Sequence, residues 1–261
     1  MKIVVCIKQV PNTGNVRINP ETKTLIREGV ESIINPFDCY AIEEGVRIKE
    51  QQGGTVTVIS MGPPQADAAL REAISLGADG AVLVSDRAFA GSDTLATSYA
   101  LSAAIRKLGA VDLVICGKQA IDGDTAQVGP GIAVHLGMPQ ITFVRKIEKL
   151  DGGMIVAERM TEEGYDVVEA KLPAVITVVK EINLPRIASL KGKMAAKKAT
   201  IPTWTAAVIG ADTHRIGLEG SPTWVAEVFA PPARSGGRKI EGAPAHQAAE
   251  LIKELKALQV I

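Results

Sequence analysis

Residues 117–131 read GKQAIDGDTAQVGPG and combine glycines, two aspartates and a threonine. An apolar run precedes them at 111–116, and a helical stretch is predicted at 126–136. A turn from a parallel strand into a helix gathers free backbone N–H groups and the positive end of the helix dipole at one point. The pattern therefore predicts a site for an anion, such as the phosphates of a nucleotide.

Four residues of this turn have distinct expected roles. Gly117 and Gly123 let the backbone turn sharply and approach a ligand closely. Asp124 or Thr125 is expected to cap the following helix or to hydrogen-bond the ligand. An ordinary strand-to-helix connection with a capping residue is the alternative, because the segment matches neither G-x-G-x-x-G nor G-x-x-x-x-G-K-[ST].

Other chemistries have weaker support. The three histidines, His135, His214 and His246, are scattered, and no serine lies in a nucleophile elbow, so a hydrolytic triad is not indicated. Scattered histidines and cysteines also lack the spacing of metal ligands. Asp122 and Asp124 could act as paired carboxylates, but helix capping and ligand hydrogen bonding explain them more simply.

Composition limits the partners. The 261 residues carry 29 basic and 29 acidic side chains, so there is no charge signature for nucleic acid or an anionic membrane. No stretch approaches the roughly 20 apolar residues of a membrane span, and the short apolar run before Lys8 predicts a strand rather than a signal peptide. We therefore expect no membrane insertion. Cys6, Cys39 and Cys116 form no C-x-x-C and are typical of a reduced, cytoplasmic protein.

Apolar runs and helical stretches alternate along the first half of the chain. The runs lie at 3–7, 56–60, 81–84 and 111–116, with helices expected at 36–52, from 63 or 64 to 77, and from 92 or 93 to 109. This order is typical of an α/β fold with a Rossmann-like parallel sheet. The long connection between the first strand and the first helix contains VRINPETKTLIREG, which predicts a small hairpin around a Pro-Glu-Thr-Lys turn.

The periodicity changes after residue 139. Strands expected at 141–150, 154–160 and 165–170 are joined by tight turns and followed by LPAVITVV, which predicts an antiparallel extension of the sheet. We expect a nucleotide-binding domain at 1–182.

An extended C-terminal arm is expected at 183–261. It holds a basic stretch, both tryptophans and one strong helical run at 245–258. Trp204 and Trp224 are costly to leave exposed, so we expect the arm to dock on another body rather than to float freely.

Four loops should meet along one edge of the sheet, because the carboxyl ends of parallel strands lie together. They are residues 6–8, 35–38, 60–62 and 117–129. Asn35 is expected to cap the first helix, with Pro36 in its first turn. Such a crevice suits a mononucleotide or dinucleotide. Only nine residues are aromatic, so a cofactor ring would be packed largely by aliphatic side chains, backbone and a partner.

Several motifs resemble the β subunit of electron-transfer flavoprotein, and the likeness extends over essentially the whole chain. They are VCIKQVP (5–11), INPFDCYAIEE (34–44), SMGPPQA (60–66), CGKQAIDGDTAQVGP (116–130), AERMTEEGYDVVEAKLPAVIT (157–177) and INLPRIASLKGKMAAKK (182–198). The resemblance implies a fold of the adenine nucleotide alpha-hydrolase-like type and a heterodimer with a larger α subunit that carries FAD. The β subunit would hold a second nucleotide, either AMP or FAD, and its arm would wrap the α subunit.

Site residues follow from this resemblance position by position. The loop at about 186–198 would recognise dehydrogenase partners through Leu190, although its lysines could equally be a solvated surface run. The residues that would hold the second nucleotide are Cys6, Asn35, Pro36, Phe37, Asp38, Met61, Gly117, Lys118, Gln119, Ala120, Ile121, Asp122, Gly123, Asp124, Thr125, Ala126, Gln127 and Val128.

The choice between FAD and AMP depends on the turn. Gly123 between two aspartates, followed by the small Thr125 and Ala126, leaves room for a flavin ring. The AMP type resembles a denser acidic run with bulkier polar residues. The hypothesis is therefore electron bifurcation: NADH reduces the FAD of this subunit, one electron passes to the FAD of the α subunit and a dehydrogenase, and the other passes to ferredoxin or flavodoxin. The protein would position and tune the flavin, with no acid/base catalyst.

Two rival functions stay open at this point. One is an ordinary electron carrier with structural AMP that accepts electrons from acyl-CoA dehydrogenases. The other is a stand-alone nucleotide-binding protein of the universal-stress type or an ATP-using ligase, which would leave the arm unexplained.

Overall fold

A computed structural model of the chain describes residues 1–12, 32–227 and 237–261, together with the backbone of two short strands at 17–18 and 25–26. The strands are β1 Lys2–Ile7, β2 Gln9–Pro11, β3 Arg17–Ile18, β4 Leu25–Ile26, β5 Ser32–Ile34, β6 Thr55–Met61, β7 Gly80–Val84, β8 Leu113–Gly117, β9 Gln140–Asp151, β10 Met154–Met160, β11 Tyr165–Lys171, β12 Ala174–Val178 and β13 Thr203–Trp204. The helices are α1 Pro36–Gln52, α2 Asp67–Ser75, α3 Thr94–Leu108, α4 Val128–Leu136, α5 Leu190–Lys198 and α6 Pro244–Ala257.

A nine-stranded sheet forms the centre of the fold, in the order β11-β10-β9-β12-β8-β1-β6-β7-β13. Seven neighbouring strands run parallel, namely β9, β12, β8, β1, β6, β7 and β13. At the β9 edge, β10 and β11 extend the sheet with antiparallel pairing. The predicted α/β class, the parallel sheet and its antiparallel extension are thus confirmed. The predicted hairpin is present as the antiparallel pair β3 and β4, whereas its turn lies outside the described residues.

Both faces of the sheet are covered by helices, which explains why its inner strands are continuously apolar. Along β1, Ile3 and Val5 join the cluster beneath α1 and α2, while Val4 and Cys6 join the cluster beneath α3 and α4. Successive side chains of a strand point to opposite faces, so a run that is buried on both sides has no polar alternation. The loops at the candidate site therefore follow strands, such as β1 and β8, that are almost entirely buried.

Helix α1 spans the predicted residues, but two other helices begin later than expected. A 3-10 turn at Pro64–Ala66 precedes α2, and α4 begins at Val128 rather than at residue 126. The backbone just before α4 explains the second difference, as described below.

Much of the segment after residue 182 packs on the α/β domain. A helix that the sequence did not predict, α5, lies against α2, where Arg71 Nη1 donates to the carbonyls of Ala196 (2.8 Å) and Ala199 (3.0 Å). Strand β13 adds to the edge at β7, and the Asp212 amide donates to the hydroxyl of Tyr99 on α3 (3.0 Å). Helix α6, which overlaps the predicted run at 245–258, buries no side chain against the described parts of this chain.

None of the helices in the described ranges is long and apolar enough to cross a bilayer.

Candidate functional site

The candidate site lies at the carboxyl ends of β1, β6 and β8. The Lys8 amide, just beyond β1, donates to Asp38 Oδ2 on α1 (2.7 Å). In return, the Asn35 amide donates to the carbonyl of Lys8 (2.8 Å). These two bonds fasten the start of α1 to the end of β1, as the predicted convergence of loops requires.

The side chain of Asn35 joins α1 to the loop at 118–127. Its Nδ2 donates to the carbonyl of Gln119 (2.8 Å), and its Oδ1 accepts from the amide of Ile121 (3.1 Å). Asn35 occupies the N-cap position of α1, as predicted, but its side chain makes no cap hydrogen bond and bonds the loop instead. Since its polar atoms are buried, the asparagine serves as a two-point clamp on the loop.

Asp38 lies buried between the end of β1 and the end of β8. Burial raises the pKa of its carboxyl to about 7, against the hydrogen bonds from Asn35 and from the amides of Lys8 and Gly117. A Cβ atom added at Gly117 would overlap Asp38 Oδ1 and lie 2.7 Å from the carbonyl carbon of Phe37. Only glycine fits at position 117, because the carboxyl group occupies the space of a side chain.

Side-chain bonds brace the loop from within and from β1. Lys8 Nζ pairs with Asp122 Oδ1 (2.7 Å), and Gln119 Nε2 donates to Asp124 Oδ1 (2.8 Å). Lys8 was placed at this edge by sequence reasoning but was not among the predicted binding residues. A lysine directly after the carboxyl end of a parallel strand is the signal that identifies it.

Two non-glycine residues of the loop adopt left-handed backbone conformations, Asp124 with φ 50° and Ala126 with φ 54°. Aspartate tolerates this region, but alanine pays for it in free energy, and such strain concentrates at functional loops. Residue 126 therefore cannot begin α4. Gln127 takes the N-cap position without a side-chain cap bond, so the predicted capping by Asp124 or Thr125 is wrong.

The first turn of α3 borders the same loop. Thr94 Oγ1 donates to Gln127 Oε1 (3.0 Å), while Asp93 caps α3 by accepting from the amides of Leu95 (2.9 Å) and Ala96 (3.1 Å). The sequence predicts the start of α3 one or two residues early, at 92 or 93, and does not indicate Thr94 as a site residue. The β7 to α3 connection also ends at the carboxyl edge of the sheet, which was the available signal.

Small residues shape the space around α4. A Cβ atom at Gly129 would lie 2.5 Å from Thr177 Cγ2, and one at Gly131 would lie 2.5 Å from Ser98 Oγ, so α4 packs closely on β12 and α3. A Cβ atom at Gly123 would have no neighbour within 4 Å. The loop is thus closely packed at its base and open at its tip.

Other predicted residues form the floor and sides. Cys6 and Cys116 are free, buried neighbours in register on β1 and β8. A hydrogen bond with Cys6 and burial raise the pKa of the Cys116 thiol, which keeps it neutral. Met61 ends β6 beside β1, and Ser60 Oγ is buried without a hydrogen-bond partner among the described residues.

Leu190 lies apart from this site. It begins α5, which is capped by Ser189 Oγ accepting from the amide of Gly192 (3.0 Å). Leu184, Ile187 and Leu190 are 81%, 93% and 77% exposed. The predicted partner-binding position is therefore one of three exposed apolar residues in the segment that follows strand β12.

The chemistry of the candidate site is that of binding. Within the described ranges, no group of three or more His, Cys, Asp or Glu side chains could hold a metal ion. The site combines backbone amides ahead of α4, a lysine, a clamped loop and a carboxyl group with a pKa near 7. These groups can hold and orient a phosphate-bearing ligand.

Comparison with known proteins supports this interpretation. Residues 22–209 match the electron transfer flavoprotein domain. The chain is 52% identical to the electron transfer flavoprotein subunit beta of Thermoanaerobacterium thermosaccharolyticum, over 100% of both chains. It is 49% identical to the caffeyl-CoA reductase-Etf complex subunit CarD of Acetobacterium woodii, also over 100% of both. Protein FixA of Azotobacter vinelandii is 52% identical over 90% of this chain and 86% of its own.

The parallel sheet, the clamped loop at its carboxyl edge and these full-length matches agree, and the chain belongs to the electron transfer flavoprotein family, among its β subunits.

Proposed function

We propose that this chain binds FAD in the loop cradle at 117–128 and works as the β subunit of a bifurcating electron transfer flavoprotein. NADH would be the electron donor. One electron would pass to the FAD of the α subunit and on to a flavin dehydrogenase, and the other to ferredoxin or flavodoxin. The observation that carries the proposal is the loop itself, clamped at its base by Asn35 and open at Gly123.

The cradle fits a dinucleotide in three respects. The amides ahead of α4 and the ammonium group of Lys8 favour phosphates. Ser60 Oγ, buried and without a partner among the described residues, offers a hydrogen bond at the end of β6. A Cβ atom added at Gly123 would have no neighbour within 4 Å, so no described residue of this chain closes the tip of the loop against a ring system.

The bound flavin would supply hydride acceptance and single-electron transfer, and the protein would supply position and electrostatics. Asn35 holds the loop at a fixed distance from α1 through the carbonyl of Gln119 and the amide of Ile121. Burial raises the pKa of Asp38 to about 7, so at neutral pH its carboxyl group carries less negative charge than an exposed aspartate would. Lys8 compensates the charge of Asp122. No side chain is needed as an acid or base.

The surfaces outside the cradle support a heterodimer. Trp224 is 74% exposed, and the apolar side chains of α6, including Leu251 and Ile252, lie exposed as well. We infer that Trp224 and α6 in the arm dock on an α subunit, which would bury these side chains. The three free cysteines fit a reducing compartment, and we expect the protein to work in the cytoplasm.

The apolar surface at Leu184, Ile187 and Leu190 supports a dehydrogenase partner. The printed name of CarD places that relative in a complex with a caffeyl-CoA reductase. We infer that this chain likewise works with a flavin enzyme that acts on a CoA ester. The full-length match to β subunits favours this function over a stand-alone nucleotide-binding protein.

The deciding experiment is purification of the chain together with its α subunit, followed by extraction and counting of nucleotides. Two FAD per heterodimer, with flavin reduction by NADH, are expected. One FAD and one AMP per heterodimer, with no reaction with NADH, would contradict bifurcation and identify the ordinary carrier that accepts electrons from acyl-CoA dehydrogenases.

A further inference from the structure

Arg186 holds the segment after the sheet against helix α1. Its Nε donates to Glu43 Oε2 (2.7 Å), and its Nη1 and Nη2 donate to the two carboxylate oxygens of Glu50 (2.6 and 2.9 Å). The Arg186 amide also donates to Glu43 Oε2 (3.2 Å). One guanidinium group therefore spans two carboxylates that lie two turns apart on the same helix, which only the planar fork of arginine can do with this geometry.

Neighbouring residues add contacts to α1 at the start of the segment. Asn183 Nδ2 donates to the carbonyl of Tyr40 (3.0 Å) and to Glu44 Oε2 (2.9 Å). Arg47 Nη2 donates to the carbonyl of Leu184 (3.4 Å). These bonds to α1 are all polar, although the segment carries large apolar side chains.

Those apolar side chains do not hold the segment in place. In the docking segment, residues 184–190, Leu184, Ile187 and Leu190 are exposed. Apolar burial normally supplies most of the free energy that fixes a loop. Here it is absent on the outer face, so the path of residues 184–189 depends on the polar contacts to α1, with Arg186 as the most highly bonded residue. Leu190 is held in addition through α5, which packs on α2.

Glu43 stays ionised at neutral pH and so keeps its bond to Arg186. Burial acts to raise the pKa of Glu43, but hydrogen bonds from Arg186 and Arg47 outweigh it and hold the pKa below its usual value. Glu43 is ionised in the fold and keeps the Arg47 bond (2.6 Å) when Arg186 is removed. A variant at Arg186 should therefore fold, because the buried carboxylate retains a cationic partner.

We propose that Arg186 is a positioning residue, which sets the orientation of Leu190 and its neighbours for docking to the dehydrogenase. The proposal rests on the docking role assigned to this surface under the proposed function. Loss of Arg186 would not change the exposed apolar side chains themselves, but these side chains would adopt many orientations. Docking would then require ordering of the segment at the moment of binding, which lowers affinity without touching electron transfer in the docked complex.

The test uses the intact heterodimer and a short-chain acyl-CoA dehydrogenase as the probe. For Arg186→Gln, the KM for the dehydrogenase is expected to rise about tenfold, equivalent to about 1.4 kcal/mol, with kcat and NADH-dependent flavin reduction unchanged. Arg159→Gln is the matched control, because it is the same change of residue type and because the bonds of Arg159 to Thr142 Oγ1 (3.1 Å) and to Asp166 join strands of the antiparallel extension. Its KM should stay at the wild-type value.

A double-mutant cycle with Leu190→Ala separates positioning from general stability. If Arg186 acts by orienting Leu190, the double variant should have the same KM as Leu190→Ala alone. Additive effects, or an unchanged KM in Arg186→Gln when Leu190→Ala raises it, would overturn the positioning role only. An unchanged KM in Leu190→Ala would instead contradict the docking role in the proposed function.

Amide hydrogen exchange tests the contact without any dehydrogenase. Arg186→Gln should increase exchange at the amide of residue 186, which donates to Glu43 Oε2, while the amides of β1 and β8 keep wild-type protection. Unchanged exchange at this amide would overturn the proposal, whatever the probe enzyme does.

Discussion

The carboxyl group of Asp38 occupies the space that a side chain at Gly117 would need. A Cβ atom on Gly117 would overlap Asp38 Oδ1 and approach Phe37 to less than 3 Å at two atoms. The end of β8 and the start of α1 therefore fit together only through a glycine. Because the candidate loop begins at this contact, its position depends on how closely these two elements approach.

Gly117→Ala should destabilise the protein by about 1–3 kcal/mol, as overpacking at a closed contact does. In thermal unfolding of the heterodimer, we expect a Tm lowered by several degrees and a reduced nucleotide content. Gly123→Ala is the control from the same loop, because its Cβ would have no neighbour within 4 Å, and its Tm should match that of the wild type. Equal Tm values for the two variants would show that the contact with Asp38 is not as close as described.

Asn35→Ala should weaken both the fold and nucleotide binding. It leaves the carbonyl of Gln119 and the amide of Ile121 without their partner, at a cost of about 1–3 kcal/mol for each buried group left unpaired. We expect about a tenfold rise in the Kd for the nucleotide, measured by titration of the stripped heterodimer. Gln52→Ala removes a bond to Leu150 (2.6 Å) at the far end of α1 and should leave that Kd unchanged. A similar Kd change in both variants would contradict the clamp.

Asp38 should make stability fall as the pH rises from about 4 to 7. Its pKa is raised from 3.8 to about 7 by burial, so the folded state holds a proton that the unfolded state has released. The stabilisation is fully present below pH 3.8, is lost through pH 7 and is constant above it, with a span of at most about 4 kcal/mol.

Asp38→Asn should remove this contribution of Asp38 to the pH dependence of stability. Urea unfolding of the wild type and Asp38→Asn at several pH values between 4 and 8 measures it directly. The difference in free energy of unfolding between the two proteins should change with pH in that window and level off above it. A difference that stays constant would mean that Asp38 is ionised in the fold, contrary to the effect of its burial.

Asp93 should link the stability of α3 to the path of the arm. Its Oδ1 caps α3, and its Oδ2 accepts from the amide (3.1 Å) and hydroxyl (2.8 Å) of Thr223. Asp93→Ala should cost about 1–2 kcal/mol through the lost cap and should expose the chain near Thr223 to proteases. Thr223→Val retains the cap and should change proteolysis with a smaller effect on Tm. If Asp93→Ala leaves the cleavage rate near Thr223 unchanged, the bonds between Asp93 and Thr223 do not hold the arm in place.

Local patterns predicted much of this fold. The buried strands, the span of α1, the antiparallel extension and the strands of the small hairpin all follow from hydrophobic periodicity and from turn residues, which act within a few positions. Helix α5 was missed, because its lysine-rich sequence has little apolar periodicity, and it is held by carbonyl contacts to Arg71 on another helix.

The sequence by itself determined the family, the class of fold and the edge of the sheet where the loops meet, since glycine positions and strand periods are local properties. Tertiary structure decided what individual side chains do. Asn35 bonds a loop 84 residues away instead of capping its own helix, and Arg186 reaches carboxylates at separations of 143 and 136 residues. Such partners depend on how elements pack, and packing satisfies buried polar groups with whatever the fold brings near, regardless of distance along the chain.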